Sequence, residues 1–486
     1  MAQIDNIRKA RLKKLEAIKK AGLNPFPAKS KRTHLIEQAL KKFPQASRSK
    51  KKVVLSGRIM SLRSHGGATF LDVRDGTGKI QAFLNKDKVG EKDYTFFLEN
   101  FDIGDIVELS GTLFKTKRGE KTLEIHHFRI LTKSLLPLPE KWHGLQDYEE
   151  RYRKRYLDLL LNEDLKEIFV KKEKFWDVTR EFMKKNGFFE VETPSLEITT
   201  GGAEANPFKT HHDDFDADVY LRISVGELWQ KRLMAAGFEK TFEIGRVYRN
   251  EGSSPDHLQE FTNMEFYWAY ANYEDGMKLT QKMFREIARQ VFGTTKFQSK
   301  DFNYDLSKEW KKISYQKEIL SQTGIDVLES SEKEIKQKLE ELKIKHEGES
   351  RPRLVDSLLK HCRKNIVGPS FLIDHPKFVS PLAKEKENEP GLTERFQIII
   401  AGTEVGNGYS ELNDPIDQAK RFEIQQKLLE AGEKEAMMPD WDFVEMLEHG
   451  MPPTCGFGFG ERFFSVLADK PLREVTLFPL MKPKNG

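Results

Sequence analysis

The stretch FEIGRVYRNEG at residues 242–252 decides the fold, together with NGFFEVETP at 186–194 and GFGFGERFF at 456–464. Between these stretches, strand-like and helical runs mix without regular βαβ order, which indicates an α+β domain on an antiparallel sheet. The chain has no GxxxxGK(S/T) phosphate loop, and residues 456–460 lack the GxGxxG spacing of a dinucleotide site. If the chain binds ATP, side chains and ions must hold the phosphates.

We divide the chain into three regions. Residues 1–50 are predicted to be a basic N-terminal helical arm, residues 51–135 a small β barrel, and residues 136–486 the α+β domain. Pro137 and Pro139 mark the linker before this last domain.

Within the α+β domain, a helix is predicted over residues 165–185. Its apolar face consists of Leu165, Ile168, Phe169, Phe175, Trp176, Phe182 and Met183. Residues 297–385 are rich in lysine and glutamate and partly helical in pattern, and we interpret them as an insertion.

The barrel prediction rests on five short β-like runs between residues 53 and 131. They are VVLSGRIMSL, TFLDV, KIQAFLN, IVELSGTL and TLEIHHFRIL, with a longer gap at 86–104. Turn signals such as His65-Gly66-Gly67 and Asp75-Gly76 separate several of them. Five such strands in about 80 residues are typical of an oligonucleotide-binding (OB) barrel, although another small barrel would also fit.

The N-terminal region carries most of the positive charge. Residues 1–52 contain 16 lysine and arginine residues against 3 acidic ones, whereas the whole chain has a net charge of +5. Residues 4–22 have helical spacing of apolar side chains and end at a Gly-Leu-Asn-Pro stop. Two interpretations of this arm remain open: it binds a polyanionic partner, or it is a solubilising tail.

Bulk features exclude several classes of protein. The only cysteines, Cys362 and Cys455, rule out a disulfide framework or a four-cysteine zinc site. No apolar run reaches the roughly 20 residues of a membrane span, and the N-terminus lacks the apolar core of a signal peptide. We therefore expect a cytoplasmic protein that does not enter a membrane.

The three opening stretches resemble a known set of motifs. Residues 186–194 resemble motif 1 of class II aminoacyl-tRNA synthetases, residues 242–252 with His257 and 260–262 resemble motif 2, and residues 456–464 resemble motif 3. Their order, and the barrel in front of them, also match this class. The resemblance implies an antiparallel catalytic sheet behind an N-terminal anticodon-binding OB barrel.

Other segments resemble the bacterial lysyl-tRNA synthetases in particular. RYRKRYLDL at 151–159 resembles the domain entry of the lysine, aspartate and asparagine enzymes, while GGA at 201–203, PFKTHH at 207–212 and EVGNGYSELND at 404–414 resemble the lysine enzymes. The resemblance implies a lysine–tRNA ligase that forms lysyl-adenylate and pyrophosphate from lysine and ATP. Lysine would then be transferred to the 3′ end of the lysine tRNA.

The resemblance also implies which residues handle ATP. Charge accumulates on phosphate oxygens during adenylate formation, so planar cations and Mg²⁺ are suitable groups. Arg249 and Arg462 would be catalytic, on the α-phosphate and γ-phosphate, and Phe261 would stack on adenine. The implied ATP-binding residues are Arg249, Glu251, His257, Phe261, Glu404 and Arg462. Metal ligands would be Glu404, with Gln397 and Glu411 as further candidates.

Lysine has two ammonium groups, and a selective pocket must pair both of them. The resemblance places Glu227 and Glu265 near the α-amino end and Glu411 near the ε-ammonium. The implied lysine-binding residues are Gly202, Glu227, Glu265, Tyr267, Asn407, Tyr409 and Glu411. The alternative for each acid is a pairing with an internal arginine or lysine.

Further residues are implied for tRNA and for a partner subunit. Arg63, Phe70, Gln81 and Glu120 lie where lysine enzymes read anticodon bases, and aromatic, amide and carboxylate groups suit unpaired bases. Motif 1 near Pro194 would contact the second subunit of a homodimer.

The sequence departs from the family pattern at four places. Gln397 stands where a second acid is usual, and a single residue, instead of two, separates Gly460 from Arg462. The segment 220–228 is one residue longer, and Leu258-Gln259 replaces Asn-Pro. The alternative function is therefore a catalytically impaired tRNA- or RNA-binding relative. A protein-lysylating paralogue would lack the barrel, and an aspartyl or asparaginyl enzyme would not need an acidic pocket.

Overall fold

The computed structural model describes residues 2–139, 147–252, 254, 257–346, 348–433 and 435–484. They form two compact units, Met1–Gln146 and Asp147–Gly486, which are described separately. None of the helices in the described ranges combines the length and apolar character needed to cross a membrane.

The first unit is a closed barrel with helices before it and inserted in it. Its elements are α1 (Ala2–Lys20), α2 (Ile36–Lys41), α3 (Phe43–Ser49), β1 (Val53–His65), β2 (Ala68–Arg74), β3 (Lys79–Asn85), α4 (Lys86–Val89), α5 (Glu91–Asn100), β4 (Ile106–Lys115) and β5 (Lys121–Thr132). The strand order around the barrel is β1-β2-β3-β5-β4. Strands β3 and β5 are parallel, and the other neighbours are antiparallel. All five predicted strands are present.

The gap at 86–104 contains helices that were not predicted. In α5, Tyr94 and Phe97 are buried, and Phe101 follows at the end of the helix with its ring stacked on Phe97. These positions are three and four residues apart, so they share one helix face. The helix covers the barrel core with this face.

The basic N-terminal segment is a helix packed on the barrel. Leu15 and Ile18 of α1 are buried, and Ile18 belongs to the barrel core. Arg11 donates hydrogen bonds to the carbonyl oxygens of Ile103, Ser134 and Leu136. Most other side chains of α1 are exposed, so most of its cations, apart from Arg11 and Lys14, face solvent.

The second unit is built on an antiparallel sheet. Its elements are α6 (Tyr148–Arg153), α7 (Arg155–Leu161), α8 (Glu163–Lys185), β6 (Phe189–Glu190), β7 (Leu196–Glu197), β8 (Lys209–His212), β9 (Ala217–Leu221), α9 (Glu227–Ala235), β10 (Lys240–Tyr248), β11 (Glu260–Ala269), α10 (Tyr273–Ile287), β12 (Lys296–Ser299), β13 (Phe302–Asp305), β14 (Lys311–Ser314), α11 (Tyr315–Thr323), α12 (Glu332–Glu341), α13 (Arg351–Cys362), β15 (Ser370–Pro376), β16 (Leu392–Ile400), β17 (Thr403–Ser410), α14 (Pro415–Glu430), α15 (Trp441–Glu448), β18 (Thr454–Gly460) and α16 (Glu461–Ala468).

The main sheet has the strand order β14-β15-β16-β17-β18-β11-β10-β6. Its two end pairs, β14 with β15 and β6 with β10, are parallel, and the strands between are antiparallel. Helices α8, α10 and α16 cover one face and bury aromatic side chains such as Phe175, Phe284 and Phe463. The predicted α+β class, with an antiparallel sheet and an N-terminal barrel, is confirmed.

The interval 297–385, interpreted as an insertion, contributes to two cores. Its strands β14 and β15 lie in the main sheet. Its helices α11, α12 and α13 form a separate apolar cluster around Ile319, Leu339 and Leu358. The interval is therefore joined to the sheet by β14 and β15.

Candidate functional site

The floor of the site is strand β18, where glycine and phenylalanine alternate. Side chains of a strand point alternately to opposite faces, and Phe457 and Phe459 enter the core on the helix side. The glycines therefore face the other side. A side chain at Gly456 would overlap Glu411 and Tyr267, and one at Gly458 would crowd Glu265. This alternation leaves room for polar groups on the open face of the sheet.

The neighbouring strands place the predicted lysine-binding residues in two rows across this floor. Glu265 on β11 lies opposite Gly458, which lies opposite Asn407 on β17. Two residues along, Tyr267 and Tyr409 lie on either side of Gly456 in the same way. Residues that face each other across antiparallel strands point to the same side, so the sheet brings these four side chains to one surface.

Three buried carboxylates surround this surface. Glu227 comes from the start of α9, Glu265 from β11, and Glu411 from the end of β17. The hydroxyl of Tyr409 donates a short hydrogen bond to Glu227. Gly202 lies against Glu227 with a φ of +89°, and a side chain there would collide with that glutamate. The structure thus collects six predicted lysine-binding residues and places Asn407 beside them.

Glu265 is held by neutral donors. It accepts hydrogen bonds from the Val225 N–H at 2.9 Å, the Asn263 amide at 3.1 Å and the Tyr267 hydroxyl at 3.1 Å. Burial, with the nearby charge of Glu227, raises the pKa of Glu265 to about 7. Its negative charge is therefore only partly developed at neutral pH and is available to a cation.

The other two carboxylates share a cation that sequence reasoning missed. The Lys231 ammonium lies 2.8 Å from Glu227 and 2.6 Å from Glu411, and the side chain is 1% exposed. Burial lowers the pKa of Lys231, but the two glutamates outweigh it, so the net pKa lies above the ordinary value. The internal pairing that was the alternative for each acid is therefore present for these two. The four-residue spacing from Glu227 to Lys231 on one helix was the available signal.

Four of the six predicted ATP-binding residues, Arg249, Glu251, His257 and Phe261, lie at the end of the β10–β11 hairpin. The Arg249 guanidinium is 5.4 Å from the centre of the Phe261 ring and donates to the carbonyl oxygen of Ile223 at 3.3 Å. Phe261 pairs across the strands with Val247 and is half-buried. A planar cation and an aromatic face therefore adjoin each other at this end of the hairpin.

Glu251 and His257 come from the loop between β10 and β11. The His257 ring nitrogen Nδ1 is 2.7 Å from the Ser254 hydroxyl, and the ring is exposed. The structure places Glu251 and His257 in the same loop as Arg249.

Motif 3 continues from the strand into a helix. Arg462 is the second residue of α16. The preceding Glu461 accepts from the Thr262 N–H at 3.1 Å and pairs with the Lys172 ammonium at 2.7 Å. This residue links α8, β11 and α16 and thereby fixes the start of the helix that carries Arg462. Sequence reasoning treated Glu461 as a spacer and did not identify Lys172.

Motifs 1 and 2 are also joined by a buried ion pair. Arg222 lies 2.6 Å from Glu243, which accepts from both the N–H and the hydroxyl of Thr193. Thr193 precedes Pro194, the residue predicted to lie at a subunit interface. The pair therefore anchors the motif 1 turn to strand β10.

The candidate metal ligands do not form a metal cage. Glu404 is bound by Arg363 at 2.9 Å, Glu411 by Lys231, and Gln397 is a buried neutral amide. Within the described part of the chain, no group of three or more His, Cys, Asp or Glu side chains is arranged to hold a metal ion. Residues 397, 404 and 411 therefore do not fit an ion held by the protein alone.

The predicted anticodon residues lie on strands β1 to β3 and at the β4–β5 turn. Arg63 is opposite Phe70, which is opposite Phe83, and the two phenylalanine rings are 4.8 Å apart. Gln81 accepts a hydrogen bond from the Thr122 hydroxyl at 2.9 Å, and Glu120 is exposed. Arg63, Phe70 and Gln81 thus share one outward face of the barrel. Phe83 adds an aromatic ring that was not predicted.

Comparison with known proteins finds two family models that match separate ranges of the chain. Residues 147–482 match the family model described as tRNA synthetases class II (D, K and N), and residues 53–131 match that of an OB-fold nucleic acid binding domain. The chain is 43% identical over 486 residues to the lysine–tRNA ligase of Thermosipho africanus, covering 99% of this chain and 97% of that protein. It is 42% identical over 487 residues to the lysine–tRNA ligase of Thermotoga maritima, with the same coverage. The corresponding protein of Thermoanaerobacter pseudethanolicus is 44% identical over 492 residues, again covering 99% and 97%. The chain therefore belongs to the class II tRNA synthetases and, within them, to the lysine–tRNA ligase family.

Proposed function

We propose that this chain, a lysine–tRNA ligase by family, activates L-lysine with ATP to lysyl-adenylate and pyrophosphate and transfers the lysine to the 3′ end of its tRNA. The observation that carries the proposal is the group of three buried carboxylates, Glu227, Glu265 and Glu411, beside the Arg249–Phe261 pair. One part of the site suits a doubly cationic amino acid, and the other suits a nucleotide.

The charge of the pocket supports lysine over related amino acids. Buried carboxylates are costly unless cations pair with them, and lysine brings an ammonium at each end. Asn407 and Tyr409 supply neutral polar walls beside Glu265 and Glu227. An aspartate or asparagine substrate would leave these acids without a partner at its side-chain end.

For ATP, we assign catalytic roles to Arg249 and Arg462. The Arg249 guanidinium would meet the α-phosphate and the substrate carboxylate, because its planar fork matches both groups. Phe261 would stack on adenine, with Glu251 and His257 beside the nucleotide. Arg462, at the start of α16, would bind the γ-phosphate, where the helix N-terminus also favours negative charge.

Lysine–tRNA ligases of class II use ATP and a divalent metal ion. We propose that the ion is Mg²⁺ and that it enters as part of the MgATP substrate. Glu404, already paired with Arg363, would contact the nucleotide complex from one side only. The neutral Gln397 would contribute an amide oxygen at most.

The barrel is our proposed anticodon-binding region. Phe70 offers a ring for stacking, and Arg63, Gln81 and Glu120 offer hydrogen-bonding groups for base edges. The exposed lysine and arginine residues of α1 would add affinity for the tRNA backbone that does not depend on sequence.

We propose a homodimer in the cytoplasm. The segment around Pro194 exposes three large apolar side chains, namely Phe189, Leu196 and Ile198. Clusters of exposed apolar residues are typical of protein–protein interfaces. Sedimentation at micromolar concentration would test this, since a monomer would contradict the proposal.

The activation reaction is best tested by amino-acid-dependent ATP–pyrophosphate exchange with each of the twenty amino acids. We expect exchange with lysine alone, loss of exchange in Arg249→Met, and normal exchange in Arg289→Met, which removes an exposed arginine just after α10. Exchange with a different amino acid would contradict the pocket assignment. Absence of exchange in the folded protein would favour the impaired RNA-binding alternative.

A further inference from the structure

The pocket contains one more carboxylate than lysine has ammonium groups. Glu227, Glu265 and Glu411 are all buried, whereas the substrate brings two cations to them. An unpaired carboxylate away from water is strongly unfavourable. A third cation is therefore needed if all three carboxyl groups are ionised when lysine is bound.

Lys231 meets this requirement from within the chain. Its ammonium bridges Glu227 and Glu411 at 2.8 and 2.6 Å. It also lies 5.5 Å from the ring centre of Tyr409, 5.9 Å from that of Tyr267 and 5.7 Å from that of Phe443, within the range of cation–π attraction. Five groups from four elements thus surround one ammonium.

We propose that Lys231 is a positioning residue of the lysine pocket, whose ammonium is a resident third cation that bridges Glu227 and Glu411 and leaves two carboxylate charges for the substrate. This inference rests on the proposed function, because it takes lysine as the ligand. Lys231 acts through the two glutamates and does not itself touch the reacting atoms.

The packing around Lys231 keeps its side chain in place. The stem lies in an apolar cluster that includes Leu228, Tyr267, Phe422 and Phe443. If the side chain swung out when lysine arrived, a cavity would open in this cluster, and such cavities are costly. We therefore expect Lys231 to keep its position when the substrate binds. The ammonium groups of the substrate then pair with the carboxylate charge that Lys231 does not neutralise.

The charged and titratable groups that face this ammonium come from several elements. Glu227 on its own helix, Tyr267 on β11, and Tyr409 and Glu411 at the end of β17 lie against the ammonium. Behind them, Glu265 on β11 and Cys455 on β18 lie near Glu411, and Arg395 on β16 lies near Tyr409. The further cations are Arg395, which is bound to Asn407, Val379 and Ser380, and Arg232, which lies on Phe443 and is paired with Asp440.

The test is chemical rescue of Lys231→Ala in the full-length protein. Alanine keeps Cβ, so n-propylammonium has the same atoms as the part of the lysine side chain that is removed. We expect the KM for lysine in ATP–pyrophosphate exchange to rise about 100-fold, as for the loss of one partner of a buried charge pair, while the KM for ATP stays within about threefold of wild type. Propylammonium at tens of millimolar should then lower the KM for lysine in this variant at least about tenfold.

Matched controls separate charge from packing. Lys231→Met fills the same volume without a charge, so its KM for lysine should rise as much and should not respond to the amine. Neutral 1-propanol should not rescue Lys231→Ala. In wild type and in Lys133→Met, which removes a buried lysine of the barrel, propylammonium should only inhibit, in competition with lysine.

Two results would overturn the proposal. One is a Lys231→Met enzyme whose KM for lysine lies within threefold of wild type, and this variant decides the matter if thermal unfolding shows that Lys231→Ala does not fold. The other is a Lys231→Ala enzyme in which kcat falls with no amine response, because a packing role alone would give that pattern. Lack of lysine-dependent exchange in wild type would instead contradict the proposed function.

Discussion

Two buried lysines in this chain make similar contacts in different surroundings. Lys133, at the end of the barrel, lies 2.6 Å from Asp102 and 2.8 Å from Asp105 and donates its third hydrogen bond to the Asn100 carbonyl oxygen. Lys231, in the second unit, bridges Glu227 and Glu411 at nearly the same distances. Both ammonium groups are almost completely buried.

The surroundings differ in how many hydrogen bonds the acids still lack. Asp102 is also paired with Lys14, and Asp105 also accepts from the Ser134 and Asp102 N–H groups. By contrast, Oε1 of Glu411 has no hydrogen-bond donor among the described residues, and Glu265 lies nearby with only neutral donors. A saturated cluster stabilises a fold, whereas an unsaturated one attracts cations, which is what a site for lysine needs.

Removing Lys133, whose acidic partners have all their hydrogen bonds, should have the largest effect on stability. Lys133→Met leaves Asp102 and Asp105 buried without their cation, which costs about 3–5 kcal/mol. Hydrogen exchange measured in the full chain should show faster exchange in β4 and β5, with lysine-dependent ATP–pyrophosphate exchange unchanged. Lys278→Met, at an exposed position, is the matched control. Unaltered protection in Lys133→Met would show that the barrel does not depend on this pair.

Neutralising the unsaturated cluster should instead affect substrate binding. Glu265→Gln keeps the shape and removes one charge, so we expect kcat/KM for lysine to fall about 100–1,000-fold. The KM for ATP, determined in the same exchange assay, should change little. A loss of less than threefold would mean that Glu265 does not meet an ammonium group.

A smaller effect is expected on the outer face of the barrel. Phe70→Ala removes a proposed stacking surface, worth about 1–3 kcal/mol for one base, so kcat/KM for tRNA in aminoacylation should fall about 10- to 100-fold. Activation of lysine should be unaffected. Phe26→Ala, an exposed phenylalanine of the same unit, serves as control, and an equal loss in both variants would contradict the anticodon assignment.

The smallest effect concerns pH. Because the pKa of Glu265 is raised to about 7, the folded protein holds a proton there that the unfolded chain has lost above about pH 4.5. The stability contributed by this proton is therefore lost as pH rises to 7. Substrate lysine must displace this proton when it binds. Its affinity for the pocket should therefore rise by up to about tenfold for each unit that the pH increases toward 7, and should become constant above pH 7. Thermal shifts by lysine at pH 5.5 to 8 would measure this, and Glu265→Gln should show a flatter profile.

The strands of the barrel could be predicted because each is a short alternating run bounded by turn residues. Helix α5 was missed because its apolar residues, Tyr94, Phe96, Phe97 and Leu98, lie within five consecutive positions and show no helical period. The glycine–phenylalanine alternation of 456–460 was visible in the sequence. Its meaning depends on the strands on either side, and their pairing is set by contacts far apart in the chain.

The same limit applies to the site. The acids of the pocket could be named from their motifs, but Lys231 could not, because a lysine four residues after a glutamate is usually a surface pair. Only the burial of α9 beside β17 makes it a partner of Glu411 as well. The pairing of Glu404 with Arg363 likewise joins residues 41 positions apart, a contact that no local pattern predicts.

The alternation in β18 also imposes a parity rule on this part of the chain. Adding or removing one residue inside the strand would turn Phe457 and Phe459 toward the substrate side and the glycines toward the core. Length changes of one residue can therefore be accommodated only outside the strand, at its junction with α16. Motif 3 is one residue short at this junction, between Gly460 and Arg462. The boundary between β18 and α16 is thus the place where the spacing of motif 3 can change, because a change there leaves the glycines and the phenylalanines of β18 on their own faces of the sheet.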